Sequence, residues 1–272
     1  CESWASFGHR CDPCQILKEF DDEPKQLDRN LRIMRDELLD ILDDSAAAEA
    51  TAWLREVIAS QETSFQQRSF YYAFSGVSRH FDKTGRVTCE GSPFDGWDEF
   101  RVARVALLSV LAEQEETAFL ETYLAILNTA DLREQVALFS ALPFLPDSNA
   151  LIEPVVDGLR SNIVDVFDAI ALDNPFPAKH FSDEAWTQMV LKAIFIERPL
   201  YRIVGLGERK NQLLSEAISD LAHERWAAGR TITPEAWQNS IGFIDERLAD
   251  DMKRISESER LPDRQAAALV TS

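Results

Sequence analysis

Glycine is scarce in this chain, with ten among 272 residues, and histidine scarcer still, with four, set far apart at 9, 80, 180 and 223. Few glycines leave little material for phosphate-cradling turns, and neither G-x-G-x-x-G nor G-x-x-x-x-G-K-[ST] occurs. The nucleophile elbow G-x-S-x-G and the zinc helix H-E-x-x-H are also missing. Positive charge is in short supply: 28 Lys and Arg stand against 47 Asp and Glu, for a net charge of −19. A nucleic-acid backbone requires a basic footprint, so nucleic acid is excluded as a partner, and an anionic membrane surface would repel the chain. Long apolar runs are absent too. The best, Val102 to Ala112, is interrupted by Arg104 and reads as a buried helix rather than a membrane span.

Cysteine is confined to Cys1, Cys11, Cys14 and Cys89. Cys11-Asp-Pro-Cys14 has the spacing of a zinc knuckle or a redox pair, and His9 and Cys1 are near enough to complete a tetrahedral set. A structural knuckle normally has a second tight pair, and none follows. Residues 1–22 read instead as a flexible N-terminal segment. No cofactor is expected, and the composition is read as that of a cytoplasmic protein.

What is present is helical periodicity. Leu27, Leu31, Met34, Leu38, Ile41 and Leu42 make one apolar stripe, with Asp and Arg on the other face. Further helices are expected at 46–60, 65–81, 98–113, 115–128, 131–142, 149–159, 161–172, 183–196, 210–228, 233–249 and 250–260, with a last one from Pro262. Asp131 is a good N-cap and Pro143 a stop. The main loop, 82–97, holds three glycines and a proline, with Arg86–Cys89 as a possible extended piece. Short connections and no series of strands give an all-α fold of antiparallel helix pairs, a HEAT-like α-solenoid or an irregular helical bundle. Residues 23–272 are expected to form a single domain.

Unusual residues concentrate between Arg160 and Arg230. In the helix at 183–196, Trp186, Met189, Val190 and Ala193 share an inward stripe, while Glu184, Gln188 and Lys192 line one edge at i, i+4, i+8. That edge is either a polar line facing a ligand groove or a solvated face. In the helix at 210–228, Asp220 precedes His223 by one turn. The pair suits an imidazole held for general-base catalysis and equally an ordinary structural hydrogen bond. Trp226 follows one turn later, and Gly229 has the position of a helix stop. Arg160, Asn162, Asn174 and Arg202 complete the candidates. Asn162 and Asn174 suit capping and turn formation, and the two arginines have Asp168 and Asp173 as available partners.

Taken in order, these segments resemble the EboA domain family. The elements are Arg160-Ser-Asn, Val166-Phe-Asp-Ala-Ile-Ala-Leu, Asn174-Pro-Phe-Pro and Trp186-x-Gln-Met-Val-Leu-Lys-Ala, followed by Pro199-Leu-Tyr-Arg-Ile-Val-Gly-Leu, His223-Glu-Arg-Trp-Ala-Ala-Gly-Arg230 and the Trp237…Gly242-Phe243 ending. The resemblance spans roughly 65–250. It implies a bacterial accessory protein from an ebo-type cluster, whose other genes encode prenyltransferase-, isomerase- and hydrolase-like proteins tied to making or exporting secondary metabolites. Partners are then the other pathway proteins or a small metabolite. It names a pathway, not a reaction.

Two functions follow. The one preferred on the sequence is a non-catalytic helical scaffold or adaptor for pathway enzymes. The alternative is a metabolic enzyme or small-molecule carrier with a pocket around Trp186, Arg202, His223 and Trp226. Convergence of Arg160, Gln188, Arg202 and His223 on one cavity would favour the second. Their separation into helix ends and ion pairs would assign them to packing.

Overall fold

A computed structural model describes residues 24–271. Cys11 and Cys14, the weak metal candidates, lie outside the described residues. The described chain is all-α, as the periodicity requires, and it divides into two compact units on either side of Ala150.

In the first unit, α1 (Pro24–Ser45), α2 (Ala48–Thr63), α3 (Gln67–His80), α5 (Glu116–Thr129) and α6 (Leu132–Ala141) pack around α4 (Glu99–Ala112). Every residue from Val102 to Ala112 is buried, so α4 has no solvent face. A helix that is apolar all round must be enclosed, and its five neighbours enclose it. Arg104 sits inside this helix. Its Nε donates to the Phe74 carbonyl at 3.2 Å, and its guanidinium lies 3.6 Å from Glu134 and over the rings of Phe74 and Phe100. Burial pushes its pKa down, and Glu134 opposes that shift. Asp131 caps α6 in a full capping box with Glu134, and Pro143 closes it in a short 3-10 turn. The expected extended piece at 86–89 amounts to one antiparallel bridge, Arg86 to Asp98.

The second unit runs through α7 (Ile152–Gly158), α8 (Val164–Ala171), α9 (Phe176–His180), α10 (Asp183–Phe195), α11 (Gln212–Ala227), α12 (Glu246–Ser256) and α13 (Leu261–Thr271). Side-chain oxygens cap three of these helices: Ser182 accepts from Ala185 N, Asn211 from Leu214 N and Asp245 from Leu248 N. The helices expected at 233–249 and 250–260 are replaced by a 3-10 helix, Pro234–Ser240, and by α12, which runs unbroken through residue 250. The reason is local. Gly242 takes φ +89° and Asp245 caps the next helix, so the break falls at 241–245. At the end of α11 Gly229 takes φ +69°. Arg230 N then reaches the Arg225 carbonyl at 2.8 Å and Gly229 N that of Trp226 at 3.0 Å, a Schellman stop that fixes where Trp226 stands.

Candidate functional site

Most of the residues singled out by sequence are consumed locally. Arg160 is exposed and pairs with Asp157 at the end of α7. Asp168 takes Arg198 as its partner instead. Asn162 is exposed, and it does not cap α8, whose first turn lacks a side-chain cap; Ser161 Oγ accepts from Ile163 N nearby. Asn174 is buried, donates to the Ala169 carbonyl and accepts from Phe176 N, both at 3.0 Å. It builds the turn into α9. Arg202 binds Asp173, and that carboxylate holds its pKa above the usual arginine value. Asp173 N also donates to the Arg202 carbonyl at 2.8 Å, so the pair staples two loops.

The edge of α10 is divided. Gln188 is exposed, whereas Lys192 Nζ turns to the carbonyls of Leu159 and Ser161, terminating α7, and desolvation pushes its pKa down. Trp186 is fully buried, its ring under the Arg209 guanidinium at 4.8 Å and its Nε1 unbonded. It therefore faces no groove. Arg160, Arg202 and His223 each have a partner of their own, in Asp157, Asp173 and Asp251.

A different site forms at the C-terminal end of α11. His223 Nε2 lies 2.6 Å from Asp251 Oδ1 on α12, and Ser219 Oγ donates to Asp251 Oδ2 at 2.5 Å. Asp220 is not the partner of His223; it pairs with Arg247 on the solvent side. Asp251 is 4% exposed in its side chain and His223 is 48% exposed, so a buried carboxylate orients a half-open imidazole. With Nε2 donating, the neutral ring presents Nδ1 as an acceptor. Ser219, however, is buried and bonded to the carboxylate, not to the imidazole. The trio therefore joins α11 to α12 and sets no nucleophile against a base.

One turn on, the ring of Trp226 lies 5.1 Å from His223 and stacks on Trp237 of the 3-10 helix at 6.0 Å, with the Arg254 guanidinium 4.1 Å over it. This stack forms one wall of a cleft of about 240 Å³, completed by Thr231, Ile232, Ile255, Ser258 and Asp263. Asp263 is buried and accepts from Ser258 Oγ at 2.7 Å, with Arg260 3.7 Å away. Of the sequence candidates only Trp226 lines this cleft. Asp251 and Arg254 were missed because they stand about thirty residues away along the chain. A signal existed for Asp251: Leu248, Asp251, Met252 and Ile255 fall on one helical stripe, so the acid occupies a core position.

No group of three metal-ligating side chains occurs among the described residues, and none of their helices is long and apolar enough to cross a membrane. Neither a curated protein nor a solved structure matches the chain. The family model described as metabolite traffic protein EboA matches residues 34–241, a span that contains every candidate from Arg160 to Trp226 and reaches Trp237 in the cleft wall. That description fits a metabolite-related accessory role. Well over half of the chain is matched, and it belongs to the EboA family.

Proposed function

We propose that this protein is a non-catalytic accessory member of an ebo-type secondary-metabolite pathway, and that it holds a small metabolite in the Trp226–Trp237 cleft. The observation that carries the reading is the cleft itself. Two stacked indoles and two isoleucines line a concave site together with Arg254, Thr231, Ser258 and Asp263, so that apolar walls stand beside a few polar groups that could orient a ligand. The non-catalytic part is supported by the bonding of the polar candidates, since Arg160, Asn174, Lys192 and Arg202 are each engaged in a local contact.

The test is native mass spectrometry of the protein isolated from cells carrying the intact gene cluster. The reading expects a small molecule to leave with the wild-type chain and to be absent from a folded Trp226→Leu variant. Equal retention by both, or none by either, defeats it.

A scaffold or adaptor for pathway enzymes is the second reading. It is supported by the surface strip Arg160–Val164, where Ile163 and Val164 are 42% and 43% exposed beside the exposed Arg160 and Asn162. Capture of a pathway enzyme by wild type, but not by an Ile163→Ser/Val164→Ser variant, would establish it.

A further inference from the structure

The charges around the cleft select its ligand. Two carboxylates lie at or behind the aromatic wall, and both are engaged. Asp251 bonds His223 and Ser219; Asp263 accepts from Ser258 and has Arg260 beside it. Arg254, by contrast, pairs with no carboxylate among the described residues; its contact there is with the face of Trp226. A guanidinium held over an indole face carries its N–H donors in its own plane, where they can bond outward to a carboxylate in a bidentate fork. Its stack also restricts the rotamer freedom that binding would otherwise have to remove.

The apolar part of the ligand is constrained as well. Trp226 and Trp237 are already in contact at 6.0 Å with an interplanar angle of 24°, so no ring enters between them. A flat group lies instead along their flank, against Ile232 and Ile255. The volume, about 240 Å³, is below the range of drug-sized pockets and suits a molecule of one or two fused rings. The chain's charge of −19 does not forbid an anion here. From residue 151 onward the sequence holds 14 basic and 20 acidic residues, a net of −6, so most of the acidity lies in the other unit. Distant charges are screened beyond about 8 Å at physiological salt, whereas Arg254 acts at contact.

We infer that the cleft binds a small planar aromatic acid, its ring on the Trp226–Trp237 flank and its carboxylate on the Arg254 guanidinium. This inference rests on the cleft being a ligand site at all, and the experiment separates the two claims. Calorimetric titration of the purified full chain uses three ring-matched probes: 1-naphthoate, 1-naphthalenemethanol and 1-naphthylmethylamine. Naphthoate is expected to bind at least about tenfold more tightly than the alcohol, the usual difference for one charge-assisted contact, and the amine weakest. In Arg254→Met, which keeps an apolar stem over Trp226, naphthoate should fall to the level of the alcohol while the alcohol is unchanged. Trp226→Leu should weaken all three.

Equal binding of the three probes by wild type overturns the acid specificity and leaves the cleft standing. Tightest binding of the amine overturns it in favour of Asp263 as anchor. Binding undiminished by Trp226→Leu, or no binding of any probe, overturns the cleft reading and this inference together.

Discussion

Replacing Asp251 with alanine is the most informative perturbation of the α11–α12 junction. The carboxylate is buried and accepts two hydrogen bonds, from Ser219 Oγ at 2.5 Å and His223 Nε2 at 2.6 Å. Charge-assisted bonds each contribute about 1.5–3 kcal/mol net, and a buried hydroxyl stripped of its partner costs about 1–3 kcal/mol. His223 is half exposed and recovers water when the carboxylate goes, so its share is discounted. Removing a buried charge also relieves its desolvation, which lowers the net loss. Asp251→Ala should therefore destabilise the second unit by roughly 2–4 kcal/mol. His223→Ala should cost less, about 1–2 kcal/mol, because Asp251 keeps Ser219. Urea unfolding at neutral pH, followed through tryptophan emission, reads both, since Trp226 lies 5.1 Å from His223. The double variant should show coupling of at least about 0.5 kcal/mol. A loss under about 0.5 kcal/mol for Asp251→Ala, with an unchanged m-value, would refute the claim that this trio ties α11 to α12.

Three further outcomes follow from the same contacts. Asn174→Ala should lower stability by about 1–3 kcal/mol, because Phe176 N loses its acceptor inside the fold; urea unfolding measures it. Gly205→Ala should cost at least about 2 kcal/mol, since φ is +79° and a new Cβ would come within 2.7 Å of the Ala178 Cβ; a thermal melt of the variant checks this. Arg202→Ala should change stability by no more than about 1 kcal/mol despite its bond to Asp173, because both side chains are 45% exposed. Wild-type behaviour of that variant in pathway complementation is expected as well.

The helices were readable because their signals are local. The apolar stripe of α1, the Asp131 cap and the Gly229 stop all lie within one or two turns of what they control. So was the inward face of α10: Trp186, Met189, Val190 and Ala193 are all buried. The site was less legible. Asp220 stands one turn from His223, and periodicity pairs them, yet Arg247 on α12 takes Asp220 while Asp251 on the same helix takes His223. Two helices meeting across a long connection decide that choice, and residue spacing carries no record of it. Trp226 was visible as an unusual residue. That it stacks on Trp237 and carries Arg254 depends on the break at 241–245, where a glycine and a capping aspartate divide what the periodicity alone reads as a continuous helix.

The central claim is that the Trp226–Trp237 cleft, and not the scattered arginines, performs the function. Metabolite profiling of a deletion strain complemented with single variants tests it most directly. Trp226→Leu and Arg254→Met, each confirmed as folded and expressed, should fail to restore the pathway product, while Arg160→Ala and Arg202→Ala restore it fully. Full restoration by the two cleft variants, with failure of Arg160→Ala or Arg202→Ala, would contradict the account.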